Sequence, residues 1–198
     1  MALIQMHKSS GSRTFGELAS RYFAIVIAYL SSHTCTSVHL IFDQYRPTSI
    51  KSGDRTRRGF SDALEVRITG PNTPVPKQWF KYIQNPQNKI NLCDVLSSSL
   101  YKIGQERLMQ EKRLIIAGVF TDGERVVEIT RARPTEDIDA FKSNHEEVDT
   151  RMILHAAYAV RDSLTSAIVI QSPDTDVLVL CVSHFTGIGR EQRKVRPE

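Results

Sequence analysis

Apolar residues recur along this chain in short blocks whose periods differ, and the periods predict which elements form. Val38 to Phe42 (VHLIF) and Ala167 to Ile170 (AIVI) are short, nearly continuous apolar runs, the pattern of buried strands. Leu114 to Phe120 and Arg125 to Ile129 flank Asp122-Gly123, a pair that supplies the positive φ a hairpin turn needs, so two antiparallel strands are expected there. Leu92, Leu96, Leu100 and Ile103 recur at helical spacing, which predicts an amphipathic helix over Asn91 to Gln110, broken near Gly104. Asn144 to Arg161 has the strongest helical signal, with Asn144 placed to cap it and acids in its first turns to suit the dipole. On a 100° wheel, Val148, Met152, Ala156, Ala159 and Val160 form its apolar arc. Tyr22 to Leu30 is apolar all round and fits a buried helix or a strand equally. Phe60 to Gln87, with Pro71, Pro74, Pro76 and Pro86, reads as loops, and its aromatics Trp79, Phe80 and Tyr82 read as core packing.

A strand, a helix and a second strand in that order form the βαβ unit of a parallel sheet. The expected fold is therefore α/β, three-layer α/β/α with a mainly parallel sheet, in a single domain spanning the 198 residues. The composition, 40% hydrophobic and 24% charged, supports a packed core and excludes a disordered chain. No apolar run is long enough to span a bilayer as a helix, so no membrane role is expected. Cys35, Cys93 and Cys181 are widely separated and form no CxxC pair, which fits reduced thiols of an intracellular protein, nuclear or cytoplasmic. The net charge of +4 permits a nucleic-acid partner without requiring one.

The acids change the picture. Asp43 follows one predicted strand, and Asp174 and Asp176 follow another, in SPDTDVLVL at Ser172 to Leu180. Ligands of parallel sheets collect beyond the carboxyl ends of the strands, and carboxylates one residue apart repel until a cation neutralises them. Asp149 lies inside the apolar arc of its helix, where an unpaired carboxylate is strongly disfavoured. Capping would account for Glu146, dipole compensation for Glu147, and an i, i+4 ion pair would join Glu147 to Arg151; these readings explain Asp149 least well. The basic segment Arg46 to Arg58, with Arg46, Lys51, Arg55, Arg57 and Arg58 against Asp54 alone, reads on charge alone as a solvated loop.

Taken together these motifs resemble the PIN-like nucleases, in particular the flap endonuclease and exonuclease-1 superfamily. IFDQYRP at Ile41 to Pro47 is similar to that family's strand-end FDG box, EVD at Glu147 to Asp149 to its EAD or EAE box, and SPDTDVLVL to its S-x-D-S-D-L-L box. IKSGDRTRR at Ile50 to Arg58 resembles the segment carrying a lysine and an arginine seven residues apart, here Lys51 and Arg58. The resemblance implies a divalent-metal-dependent nuclease acting on DNA or RNA. Asp43, Glu147 (or Glu146), Asp149, Asp174 and Asp176 would hold one or two Mg²⁺ or Mn²⁺ ions, and Lys51 and Arg58 would engage the scissile phosphate. The match covers Val38 to Arg58 and Asn144 to Val182. Gln44 stands where the family has glycine, the family's first aspartate has no counterpart among Met1 to Leu30, and Gly187 to Glu198 is a basic tail without apolar pattern. The domain is therefore expected to be incomplete at one or both ends, with weak metal binding and slow cleavage, and the alternative is a degenerate nuclease fold that binds nucleic acid or protein without cutting. A haloacid-dehalogenase-type phosphatase would need its DxD early with a lysine and further acids downstream, an order this chain lacks.

Overall fold

Thr14 starts the first element by local chemistry: its hydroxyl accepts from the Glu17 N–H (3.2 Å), and Glu17 Oε2 accepts from the Arg13 N–H (2.7 Å). This reciprocal cap opens helix α1, Phe15–Leu30, which settles Tyr22 to Leu30 as helical. The structure, a computed structural model, describes residues 11–43, 64–117, 125–131, 136–138, 141, 148–161 and 167–194. Their remaining elements are β1 (Ser37–Ile41), α2 (Trp79–Gln84), α3 (Pro86–Arg107), β2 (Arg113–Ala117), β3 (Val126–Thr130), β4 (Glu136–Asp137), α4 (Val148–Arg161) and α5 (Thr175–Lys194). The predicted Asp122-Gly123 turn and the Asn144 cap lie outside the described residues.

The chain is a mixed α/β protein built on a sheet of order β1-β2-β3-β4. Strand β1 pairs parallel with β2, with Ser37 opposite Arg113 and Ile41 opposite Ala117. Strand β2 pairs antiparallel with β3, with Leu114 opposite Ile129, and β3 pairs antiparallel with β4. The expected strand pair on either side of Asp122-Gly123 is present. Its consequence is that the sheet among the described residues is mixed rather than mainly parallel, because a short connection can join only antiparallel neighbours. The βαβ unit that does form is β1-α3-β2.

Side chains alternate across this sheet with the period of two that strands impose. Val38 and Leu40, Leu114 and Ile116, and Val127 and Ile129 pack into one core with α1 and α3. Ile41, Ile115, Ala117 and Val126 belong to a second, smaller core with Phe141, Leu154 and Tyr158. In α1 the buried positions Phe15, Leu18, Ala19, Tyr22, Val26 and Leu30 follow helical spacing. Helix α3 begins earlier than its leucines suggest, because Asn85 caps it through the Gln87 N–H (2.9 Å) and Pro86 sits at the first helical position. It also runs through Gly104 without a break. A Cβ there would come within 3.1 Å of Ile129 Cδ1 and 3.3 Å of Leu114 Cδ2, so the glycine permits close helix-sheet approach rather than ending the helix. Of the aromatic trio, Trp79 and Tyr82 are in the core and Phe80 is 71% exposed.

One expectation about the C-terminal third is overturned. Among the described residues Ala167 to Ile170 pairs with no strand, and it lies in the open, with Val169 92% exposed. Val177 to Val182 belongs to α5, where Val177 is buried while Leu178, Val179 and Val182 are exposed. The reason is local. Ser172 Oγ accepts from the Asp174 N–H (3.1 Å), and Asp174 Oδ1 accepts from the Asp176 N–H (3.0 Å), a helix start that prevails over the strand preference of the valines. No helix among the described residues is long and apolar enough to cross a membrane.

Candidate functional site

The carboxyl end of β1 is where the sequence and the structure meet most closely. The Phe42 N–H continues the ladder by donating to the Ala117 carbonyl (3.0 Å), so Asp43 is the first residue past a parallel strand pair, half-buried. Arg151, from the first turn of α4, is fully buried and its Nη1 donates to the Phe42 carbonyl (2.9 Å). Burial lowers the guanidinium pKa and the nearby Asp43 carboxylate opposes that shift. Asp149 lies in the same turn of α4 and is half-buried. The strand-end acid is thus tied to the helix that carries the second acidic motif.

A second feature escaped the sequence reading. His39, on the face of β1 that looks toward α4, places Nδ1 2.9 Å from Nδ1 of His155, one helical turn beyond Arg151. His155 is 3% exposed and stacks on Phe141, with ring centroids 4.0 Å apart and an interplanar angle of 1°. Burial pulls the His39 pKa down to about 4, helped by Arg113, and pulls His155 down to about 2, helped by His39 and Arg151. Both rings are therefore neutral near pH 7, so one Nδ1–H donates to the other ring's lone pair. His155 Nε2, Arg151 Nε and Arg151 Nη2 are buried with no hydrogen-bond partner. The signal was available: His39 occupies an inward register position within VHLIF, and Arg151 and His155 are four residues apart on the helix that also buries Ala156.

The wheel placed Asp149 inside the buried arc. The residues buried in α4 are Arg151, Ile153, His155, Ala156 and Val160, a face wider than the expected arc because the His155 stack on Phe141 and the Arg151 bond to β1 draw those two side chains in; Asp149 is half-buried.

Asp174 and Asp176 are exposed at the start of α5, where Asp174 acts as the cap described above. Gln171, just before them, accepts from the Tyr29 hydroxyl (2.9 Å) at the end of α1 that leads into β1, whereas Asp43 follows the other end of that strand. Among the described residues no three His, Cys, Asp or Glu side chains come together as a metal-holding group, so Asp43, Asp149, Asp174 and Asp176 do not form one by themselves. Lys51, Arg58, Glu146 and Glu147 lie outside the described residues. The three cysteines form no disulfide, with Cys93 buried and its pKa pushed up to about 12, and Cys35 and Cys181 half-buried.

The cap makes a prediction of its own. In metal-free buffer Asp174→Ala should cost about 1 kcal/mol, the usual loss for an N-cap, while Asp174→Asn, an equally good cap, should be nearly neutral. Urea denaturation of the two variants distinguishes this from clustered acids, for which both substitutions would stabilise by relieving repulsion.

No protein-family model, no curated protein and no solved structure matches this chain.

Proposed function

We propose that the chain is a divalent-metal-dependent nuclease domain, a three-layer α/β/α arrangement of PIN-like type that acts on the phosphodiester backbone of DNA or RNA. The observation that supports this most directly is Asp43. It sits at the carboxyl end of a parallel strand pair, and Arg151 joins that strand end to the helix carrying Asp149. Sheets of this kind place their chemistry there. Glu147, Asp174 and Asp176 would complete the acidic set with Mg²⁺ or Mn²⁺, which supplies Lewis-acid activation of water and of the phosphate when bound. Lys51 and Arg58 would bind the phosphate.

The described acids do not by themselves form a metal-holding group. A second reading is a nuclease fold that binds nucleic acid or protein without cutting. Asp174 is specifically engaged in capping α5, and the Gln171 contact with Tyr29 holds its segment beside α1.

Cleavage of flap, duplex and single-stranded substrates with Mn²⁺ and Mg²⁺, alongside calorimetric titration of Mn²⁺, tests both readings. A nuclease should bind Mn²⁺ weakly but measurably, cut slowly, and lose cutting in Asp43→Asn and Asp149→Asn. Binding of nucleic acid with no metal-dependent cutting would establish the second reading and dismiss the first.

A further inference from the structure

Arg151 has no solvent exposure, and among the described residues one of its three nitrogens finds a partner. Nη1 donates to the Phe42 carbonyl, while Nε and Nη2 have no hydrogen-bond partner among the described residues. These two unpartnered atoms are not an arbitrary pair. They form one edge of the planar guanidinium, where two N–H bonds run parallel and match two oxygens of a single oxyanion. One turn along α4, His155 Nε2 is also buried and unpartnered. These three atoms lie on successive turns of one helix, Arg151 beside the end of β1 and His155 against His39 in its middle, and among the described residues none of the three has a hydrogen-bond partner. Asp43 offsets part of the guanidinium charge but occupies neither Nε nor Nη2.

We propose that the Nε–Nη2 edge of Arg151, together with His155 Nε2, is an oxyanion site that takes a phosphate group. The contact between His39 and His155 fixes what the site requires. When His39 Nδ1–H donates to His155 Nδ1, the remaining proton of neutral His155 is on Nε2, which then donates to the anion; the opposite tautomer would present a lone pair to it. His39 is thus a positioning residue, setting the tautomer of a neighbour that touches the ligand. The net charge of +4 favours phosphate-bearing ligands over repelling them. Because Arg151 is fully covered, phosphate reaches it only after a local opening of the first turn of α4, and binding should be slow and should raise the melting temperature. Assigning that phosphate to a nucleic-acid backbone rests on the nuclease-type reading above; occupation of the site by phosphate does not.

Thermal denaturation of the 198-residue chain in EDTA, in buffer free of phosphate and sulfate, tests the site without metal. The ligands are inorganic phosphate, a mononucleotide and a single-stranded oligonucleotide, each against sodium chloride at matched ionic strength. Phosphate should raise the melting temperature saturably beyond the chloride control. Arg151→Lys, which keeps the charge but loses the paired edge, should weaken phosphate affinity roughly tenfold or more. Arg151→Met should abolish the response, and His155→Leu should weaken it; if Arg151→Met does not fold, Arg151→Lys and His155→Leu decide. A wild-type chain indifferent to every phosphate ligand, or a response unchanged in Arg151→Lys and His155→Leu, overturns the site. A response to the oligonucleotide larger than to the small ligands assigns it to backbone phosphate, and the reverse order to a free nucleotide or phosphate. Because metal is excluded throughout, loss of this site and loss of nuclease activity are read separately.

Discussion

Acidification from pH 6.5 to pH 4 should remove on the order of 3 kcal/mol of stability through the pair formed by His39 and His155. The pKa of His39 falls from 6.5 in the unfolded chain to about 4 in the folded one, and that of His155 to about 2. A histidine depressed in this way is neutral in the fold while the unfolded chain already binds a proton, so its contribution is complete above pH 6.5 and declines as pH falls. The decline for His39 ends near pH 4, and that for His155 continues toward pH 2. Each depressed histidine adds a slope of about 1.4 kcal/mol per pH unit, and the two are not additive because they share one hydrogen bond. Set against a typical total of about 5 to 15 kcal/mol, this is enough to bring acid unfolding into an accessible range.

Physically, a proton on both rings would set two imidazolium ions against each other with Arg113 and Arg151 already adjacent. The Glu128 carboxylate lies 3.6 Å from Arg113 Nε and offsets only part of that charge. Asp94 acts in the opposite sense: burial raises its pKa, so it favours the fold as pH falls. Urea denaturation at half-unit steps between pH 4.5 and 6.5 measures the slope. His39→Gln with His155→Gln should flatten it, and an unchanged slope in that double variant would assign the acid sensitivity to other groups.

Legibility in the sequence followed the strength of local pattern. VHLIF ending in Asp43 is a strand ending in Asp43, and the two runs around Asp122-Gly123 pair as neighbours, because strand alternation and turn chemistry agree there. Helices α3 and α4 were visible from the spacing of Leu92, Leu96 and Leu100 and from the MILHAA run. Boundaries were set by caps that the apolar pattern does not carry: Thr14 with Glu17 opens α1, and Asn85 with Pro86 opens α3. The apolar segment AIVI misled because four such residues fit a strand, a helix or an exposed connection, and the Ser172-Asp174 turn gave the following residues to α5. The buried polar site was harder to see for a different reason. Arg151 and His155 look like members of a solvated face, and only the tertiary placement of Phe42, His39 and Phe141 buries them.

The segment before α2, which matched no motif, has a large expected effect of its own. Asn88 is 2% exposed, and its Nδ2 donates to the Leu64 carbonyl and to the Tyr82 carbonyl (2.9 Å), while its Oδ1 accepts from the Val66 N–H (3.0 Å). Asn91, one turn later, accepts from the Ile68 N–H (2.7 Å). These two amides take the place of a neighbouring strand for residues 64–68, which pair with no strand among the described residues. Removing the Asn88 amide leaves the Leu64 carbonyl and the Val66 N–H unpaired, while the Tyr82 carbonyl keeps the Asn85 N–H (3.3 Å); each unpaired group costs about 1 to 3 kcal/mol when buried, less where water reaches the half-buried Leu64 and Val66. Asn88→Ala should therefore cost about 2 to 4 kcal/mol. Asn88→Asp should cost more, because it keeps the acceptor but turns a carboxylate toward two carbonyl oxygens. Asn91→Ala, with a single bond to lose, should cost about 1 kcal/mol. Urea denaturation of the three variants ranks them, and equal losses at Asn88 and Asn91 would mean that burial at that helix face, not the amide's three bonds, holds residues 64–68 in place.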